Sequence, residues 1–269
     1  MKNLTPKFFF FYLLILIFIL SAFESKLLAQ NQYNFRQFIN EGSDLIKQPA
    51  KWNLGEWLTF GGLAAGSYAI MHFDENIRAE ILIDRSYNES IPIVFGRIYG
   101  EPYTSSGLGL FFLIHGVTSN NKANEKLGFE ILQSFIYTGM ITQIAKVSFG
   151  RTRPYLADNA FEFNPFPPLN DSFLSFFSGH TSVAFSLSTI IAGNVNGTGW
   201  KFLSYVPAVL TGFSRIYQNK HWTSDVFMGA AVGYFIGRFV INTHEEKEKY
   251  IGHNLIQPQP LINISLPIK

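Results

Sequence analysis

Apolar residues along this chain gather into stretches that outrun ordinary strands and are broken by Gly, Pro and short polar turns. They lie at 54–71, 107–117, 127–147, 181–192, 202–213 and 226–241, and their length and Gly/Ala content predict six helices. The connections at 119–122 and 194–199 are short and polar. The connection at 151–177 is long and carries Pro154, Pro165, Pro167 and Pro168, and a long loop inside a packed domain tends to be functional. The charged stretch 74–101 predicts a short amphipathic segment at 77–83, placed peripherally. Residues 30–51 show only a weak helical face at Leu45 and Ile46 and read as a lead-in. The tail 251–269 carries Pro258, Pro260 and Pro267 and reads as irregular. The expected fold class is all-α, a six-helix bundle forming one domain over 30–250.

The N-terminus adds a compartment. Lys2 and Lys7 precede an almost unbroken apolar run at 8–22, and a polar stretch opens at Gln30, the layout of a secretory signal. The run is nearer a signal core than the ~20 residues of a bilayer span. Leu27 is a poor residue three places before the end of a cut at Ala29, so 1–29 is either a cleaved signal or a retained anchor, and both imply export.

Composition narrows the classes further. The 269 residues are 47% hydrophobic, enough for a sizeable core. Charged residues are only 15% and Phe numbers 28, a shift toward membrane contact, yet the mean hydropathy of +0.12 is low for a chain made almost wholly of spans. A net charge of +2 gives no surface of the nucleic-acid-binding kind, so any anion site is local. With no cysteine, disulfides, thiolate metal sites and cysteine nucleophiles are excluded.

Three patches place chemistry at helix ends. In the first, Lys146 and Arg153 end the third helical pattern, and Pro154 enforces an extended exit. Lysine offers a compact charge and arginine a planar fork matching two phosphate oxygens; bases that merely complement a helix dipole are the plainer reading. In the second, Ser178, Gly179 and His180 open the fourth helix, where free N–H groups can hold an anion and His180 can act as general acid. The plainer reading is an N-capping serine beside an incidental histidine. In the third, Arg215 precedes His221 and Asp225. If a helix begins near His221, the four-residue step puts both side chains on one face, so the carboxylate can fix the imidazole as a nucleophile. A simple surface hydrogen bond is the alternative.

Taken together, Lys-x6-Arg-Pro, Ser-Gly-His and Ser-Arg-x5-His-x3-Asp resemble the tripartite signature of the type 2 phosphatidic acid phosphatase superfamily. The resemblance is detailed over 146–225, and the helix pattern up to about 241 is compatible with that superfamily's six-helix core. It implies a histidine-dependent phosphatase. Lys146, Arg153 and Arg215 would bind phosphate with Ser178 and the Gly179 amide, His180 would be the acid, and His221 the nucleophile forming a phosphohistidine, oriented by Asp225. Phe177 departs from the pattern, standing where the family usually has Pro.

No cofactor is implied. Three cations beside the histidines would repel a divalent ion, so no metal is expected. A vanadium haloperoxidase shares this motif, though this chain is short for one, and a phosphate-binding module that no longer attacks is a non-enzymatic alternative. The expected partners are a phosphorylated lipid (phosphatidate, phosphatidylglycerol phosphate, a polyprenyl diphosphate or lipid A) or a small phosphoester, with no nucleic acid. Placement is expected at the inner membrane with a periplasm-facing site, with a soluble periplasmic acid phosphatase as the alternative. The apolar stretches are short for a bilayer of ~30 Å.

Overall fold

Polar residues set just ahead of apolar runs start several of the helices. The computed structural model describes residues 31–256 except 32 and 169, so the predicted leader at 1–29 and the tail from 257 lie outside the described residues. In order come α1 (Phe35–Lys47), α2 (Leu54–Met71), α3 (Asp74–Ile83), α4 (Ile91–Tyr99), α5 (Pro102–Thr118), α6 (Lys122–Phe149), α7 (Gly179–Asn194), α8 (Thr198–Leu203), α9 (Val206–Tyr217) and α10 (Thr223–Ile256). Asn34, Asn53, Asn121 and Ser178 each accept a backbone N–H from the first turn of α1, α2, α6 and α7. Proline near the start opens α4, α5 and α9, where its missing N–H leaves no bond unmade.

The all-α expectation holds, and helices occupy all six predicted stretches. Several boundaries differ, each for a physical reason. The stretch 202–213 is split between α8 and α9, because Pro207 in the first turn of α9 has no N–H to continue a ladder from upstream. The lead-in contains a true helix, α1. Its Phe38 packs on Tyr137 with ring centroids 5.0 Å apart, and its buried Glu41 lies 3.1 Å from His244 and accepts from Gln133 at 2.6 Å. The peripheral segment at 77–83 is the end of α3, and α10 runs on to Ile256, past the point where an irregular tail was expected.

Helix α6 runs through the middle of the packing. Phe129, Leu132, Ile136 and Tyr137 on it meet Leu113 of α5, Leu187 and Ile190 of α7, and Ile236 and Val240 of α10 in one buried cluster. This core lies away from the C-terminal end of α6. That end gathers with the N-terminal ends of α7 and α10 and the last turn of α9, and there the predicted site residues are found.

The seam between α7 and α10 sets how closely those ends meet. Gly229, Gly233 and Gly237 repeat at helical spacing on α10 against the backbone or side chains of Ser178, Ser182, Ser186 and Thr189. A Cβ on Gly233 would come within 2.1 Å of the Ser182 carbonyl oxygen, and one on Gly229 within 2.7 Å of the Ser178 oxygen. These glycines let the backbones touch, and at the seam's end the Ser178 N–H donates to the Asp225 carbonyl at 3.0 Å. Gly233→Ala should therefore force the helices apart and lower stability by roughly 1–3 kcal/mol, the cost of overpacking. Denaturant unfolding checks this, and an unchanged midpoint would mean the seam yields without strain.

Candidate active site

Gly150 turns the chain out of α6. It sits at φ +59°, a left-handed conformation suited to glycine, and a Cβ there would lie 1.8 Å from the Asn164 oxygen. The exit leads straight into Arg151, Thr152 and Arg153. This segment is held extended by an isolated antiparallel bridge between Arg151 and Phe163, and by Arg153 N–H donating to the Ser172 carbonyl at 2.8 Å. In extended backbone, residues two apart point the same way, so Arg151 and Arg153 reach into the same cluster.

They take different partners there. Arg153 Nη1 lies 3.2 Å from His221 Nε2, while its Nη2 pairs with Asp171 Oδ1 at 2.6 Å and its Nε donates to the Asp171 carbonyl at 2.8 Å. Arginine is a permanent donor, so His221 Nε2 must be the nitrogen carrying the lone pair, with the proton on Nδ1. That Nδ1 lies 3.6 Å from Asp225 Oδ2 and 3.5 Å from Ser175 Oγ, and Ser175 itself donates to Asp225 at 2.5 Å. The predicted His221 to Asp225 pairing is thus present, but longer than a hydrogen bond and shared with a serine. His221 also precedes α10 rather than lying on it. The two side chains meet because Asp225 accepts the Trp222 N–H at 2.9 Å, drawing the preceding loop back over the helix start.

Arg151 is fully buried and bridges two carboxylates, Asp225 Oδ1 at 2.6 Å and Asp74 Oδ2 at 2.9 Å. Asp74, from the start of α3, also accepts the Ser224 N–H at 3.0 Å, satisfying a first-turn donor of α10 from outside the helix. The Arg151 guanidinium lies over the rings of Trp222 and Phe163 at 5.4 and 5.3 Å. Phe177 is buried with Phe176 and Met71, so the residue in place of proline anchors the end of the long loop by packing.

The remaining predicted residues surround this pair. Lys146, buried, donates to the Leu174 carbonyl, and a Cβ on Gly179 would lie 3.6 Å from Lys146 Cε, so the start of α7 faces this lysine. Burial and the Arg153 charge pull the Lys146 ammonium down to about 7. The Ser178 hydroxyl faces inward, 2.9 Å from Thr181 Oγ1, and caps α7. His180 Nε2 lies 3.3 Å from Glu101 Oε1. Burial and Arg215 pull this imidazole down to about 4, against Glu101. His221 is held well below its ordinary range by burial and then by Arg153, so it is neutral near pH 7.

Arg215 is the unsatisfied member. It is 6% exposed, it lines a cavity of about 350 Å³ with His180 and Glu101, and its Nε is sealed from solvent with no hydrogen-bond partner among the described residues. A buried donor without an acceptor costs about 1–3 kcal/mol, more when charged, so the position is built for an anion brought by a ligand. The sequence reading missed Arg151, Asp74, Glu101, Asp171 and Ser175. Only Arg151 carried a signal, its two-residue offset from Arg153 in a segment that Pro154 makes extended.

Residues 127–249, which hold these site residues except Asp74 and Glu101, match the sequence model of the PAP2 superfamily. This stretch is a PAP2-superfamily domain. The chain is 36% identical over 101 residues to a lipid A 1-phosphatase of Porphyromonas gingivalis, covering 37% of this chain and 20% of that protein. It is 31% identical over 147 residues to a PA-phosphatase related-family protein of Dictyostelium discoideum, covering 48% of this chain and 54% of that protein. The chain thus spans from a fifth to about half of these two relatives. The crystal structure of the first transmembrane PAP2-type phosphatidylglycerolphosphate phosphatase from Bacillus subtilis superposes with a TM-score of 0.53 at 25% identity, over 71% of this chain and 94% of that one.

The buried Arg151 makes a test that separates packing from chemistry. Arg151→Met should strand Asp74 and Asp225 without a cation and destabilise the PAP2 domain by about 3–5 kcal/mol, as breaking a buried ion pair does. Adding Asp74→Asn should recover part of that loss in the same unfolding assay.

Proposed function

We propose that this chain is a metal-independent phosphatase acting on lipid phosphate esters through a phosphohistidine on His221. The observation that carries the reading is the buried Arg215, whose Nε has no hydrogen-bond partner among the described residues, beside Arg153, whose Nη1 points at the lone-pair nitrogen of a neutral imidazole. An anion drawn to these cations would be delivered to a nucleophile. In the proposed step Arg153 Nη1 turns from His221 Nε2 to an equatorial oxygen, and the freed Nε2 bonds to phosphorus as the bond from phosphorus to the ester oxygen breaks. Lys146, Arg153, Arg215 and the Gly179 amide hold the equatorial oxygens, and His180 gives a proton to the departing oxygen. Water then cleaves the phosphorus to nitrogen bond, with His180 as base. Asp225 keeps the proton on Nδ1 throughout.

Lipid esters are supported by the activities of the relatives and by the surface. Trp57, Leu58 and Phe60 on α2, and Trp200, Phe202 and Phe213 on α8 and α9, are large apolar side chains left exposed. Thr223–Lys249 of α10 is, among the described residues, a helix long and apolar enough to cross a membrane. We place the protein at a membrane with its site on the exported side.

Phosphate release from phosphatidate should persist in excess EDTA, and His221→Ala should lower it by about three orders of magnitude or more, the scale seen when a nucleophile is removed. Loss of turnover on chelation, or bromide oxidation with vanadate, would contradict the proposal.

The pH dependence has a definite sign. His180 must be protonated to act as acid, and its cationic neighbours favour the neutral form, so the acid form is lost as pH rises. A bound phosphate offsets those cations and lifts the His180 pKa. The alkaline limb of kcat should therefore lie at higher pH than that of kcat/KM. Glu101→Gln removes the charge that favours the imidazolium, so it should move both limbs to lower pH. Limbs that stay in place would exclude His180 as the acid.

A further inference from the structure

One short stretch of the long loop, from Asp171 to Ser175, reaches several site residues from the same side. The carboxylate and the carbonyl of Asp171 both accept from Arg153, the Leu174 carbonyl accepts from Lys146, and the Ser175 hydroxyl donates to Asp225 beside His221. Backbone carbonyls could be supplied by any residue at those positions. Within this stretch only Asp171 commits a charged side chain, and it lies outside all three patches of the sequence motif.

The donors of Arg153 show what that carboxylate does. A guanidinium has five N–H bonds. The Nε bond goes to the Asp171 carbonyl at 2.8 Å and one Nη2 bond to Asp171 Oδ1 at 2.6 Å, while Nη1 serves the Lys220 carbonyl at 2.9 Å and His221 Nε2 at 3.2 Å. One Nη2 bond is left over. Once Nη1 turns from His221, each Nη nitrogen has one N–H to offer, and that end of the planar fork matches two phosphoryl oxygens. Asp171 on one flank and the Lys220 carbonyl on the other thus hold the guanidinium and leave its end to the ligand.

Packing does not account for the carboxylate. The Asp171 side chain is 73% exposed, against 9% for Arg153, and an ion pair so open to water adds little to stability. Other bonds hold the turn that carries it. The Arg153 N–H donates to the Ser172 carbonyl at 2.8 Å, the Ser175 N–H to the Arg151 carbonyl at 2.9 Å, and the Ser172 N–H to Asn170 Oδ1 at 3.1 Å. Removal of the carboxylate therefore leaves the loop in place and frees one flank of Arg153.

We propose that Asp171 is a positioning residue of the reaction, gripping Arg153 so that its two remaining N–H bonds face the phosphoryl oxygens. This rests on the phosphatase reading above. A carboxylate so near an anion site also repels the ligand, and the aim it gives to Arg153 outweighs that repulsion.

Phosphate release from phosphatidate by the full chain in detergent micelles, and equilibrium binding of inorganic phosphate to the same protein, provide the test. Asp171→Ala should keep its melting temperature yet lower kcat/KM and weaken phosphate binding, each by about tenfold, the scale of one lost charge-assisted hydrogen bond. Asp171→Glu, which keeps the carboxylate, should recover part of both. Added to Arg153→Gln, Asp171→Ala should weaken phosphate binding by about twofold at most, because the group it positions is gone. Unchanged or tighter phosphate binding in Asp171→Ala would overturn the proposal, since the carboxylate would then only repel the ligand, and turnover by the wild type would leave the phosphatase reading standing. A full tenfold loss in the Arg153→Gln background, or a lowered melting temperature, would overturn it too, by placing the action of Asp171 elsewhere. A wild type that binds inorganic phosphate but releases none from phosphatidate would overturn the phosphatase reading instead, and the binding measurements would still decide the role of Asp171.

Discussion

A carboxylate with no exposure to water must have its oxygens met by donors from the protein, and Asp225 imposes that demand at the start of α10. Arg151 meets one oxygen from the exit of α6, while the Trp222 N–H and the Ser175 hydroxyl meet the other from the two loops that close over it. Three separate parts of the chain are thereby pinned to one residue. His221 lies at the centre of what they enclose, and its orientation follows from how they close. Asp74 extends the same constraint to α3 by sharing Arg151 and capping α10.

That arrangement explains why two arginines two residues apart do different work. Arg151 is neutralised on both sides and serves the packing. Arg153 is held by the exposed Asp171, yet still presents a donor to His221 Nε2. Arg215 has no ion-pair partner among the described residues, and Glu101, which offsets part of its charge, is engaged with His180. One satisfied cation and one shared cation thus flank a neutral imidazole, while the unsatisfied cation lines the adjoining cavity, a field that attracts an anion without charging the imidazole. The close glycine contacts between α7 and α10 keep the start of α7, with His180, beside the start of α10, which His221 immediately precedes. Catalysis by preorganised charge depends on such fixed placement.

Much of this was legible in the sequence, and the limits of legibility are physical. The apolar stretches foretold helices because their length exceeds that of strands, and the site residues stood out because cations, histidines and a carboxylate fell at helix ends. Local spacing foretold a direct contact between His221 and Asp225. It could not show that Ser175, remote along the chain, would enter between them. Glu101 and Asp74 lie far upstream of the motif, and only the packing of α5 against α7 and of α3 against α10 brings them in. The helix α1 was missed because few of its residues are apolar, although Phe35, Phe38, Leu45 and Ile46 recur at helical spacing, and its partners Tyr137 and His244 come from later helices.

The central claim is that a neutral His221, its Nε2 lone pair facing the bound phosphoryl group, becomes covalently phosphorylated during turnover. Rapid alkaline quenching of the full chain during hydrolysis of a lipid phosphate, followed by peptide mass spectrometry, tests it directly. The account predicts a phosphoryl group on the Nε2 of His221, formed and lost at rates compatible with turnover. A phosphoryl group on His180, or steady turnover with His221 never modified, would contradict it.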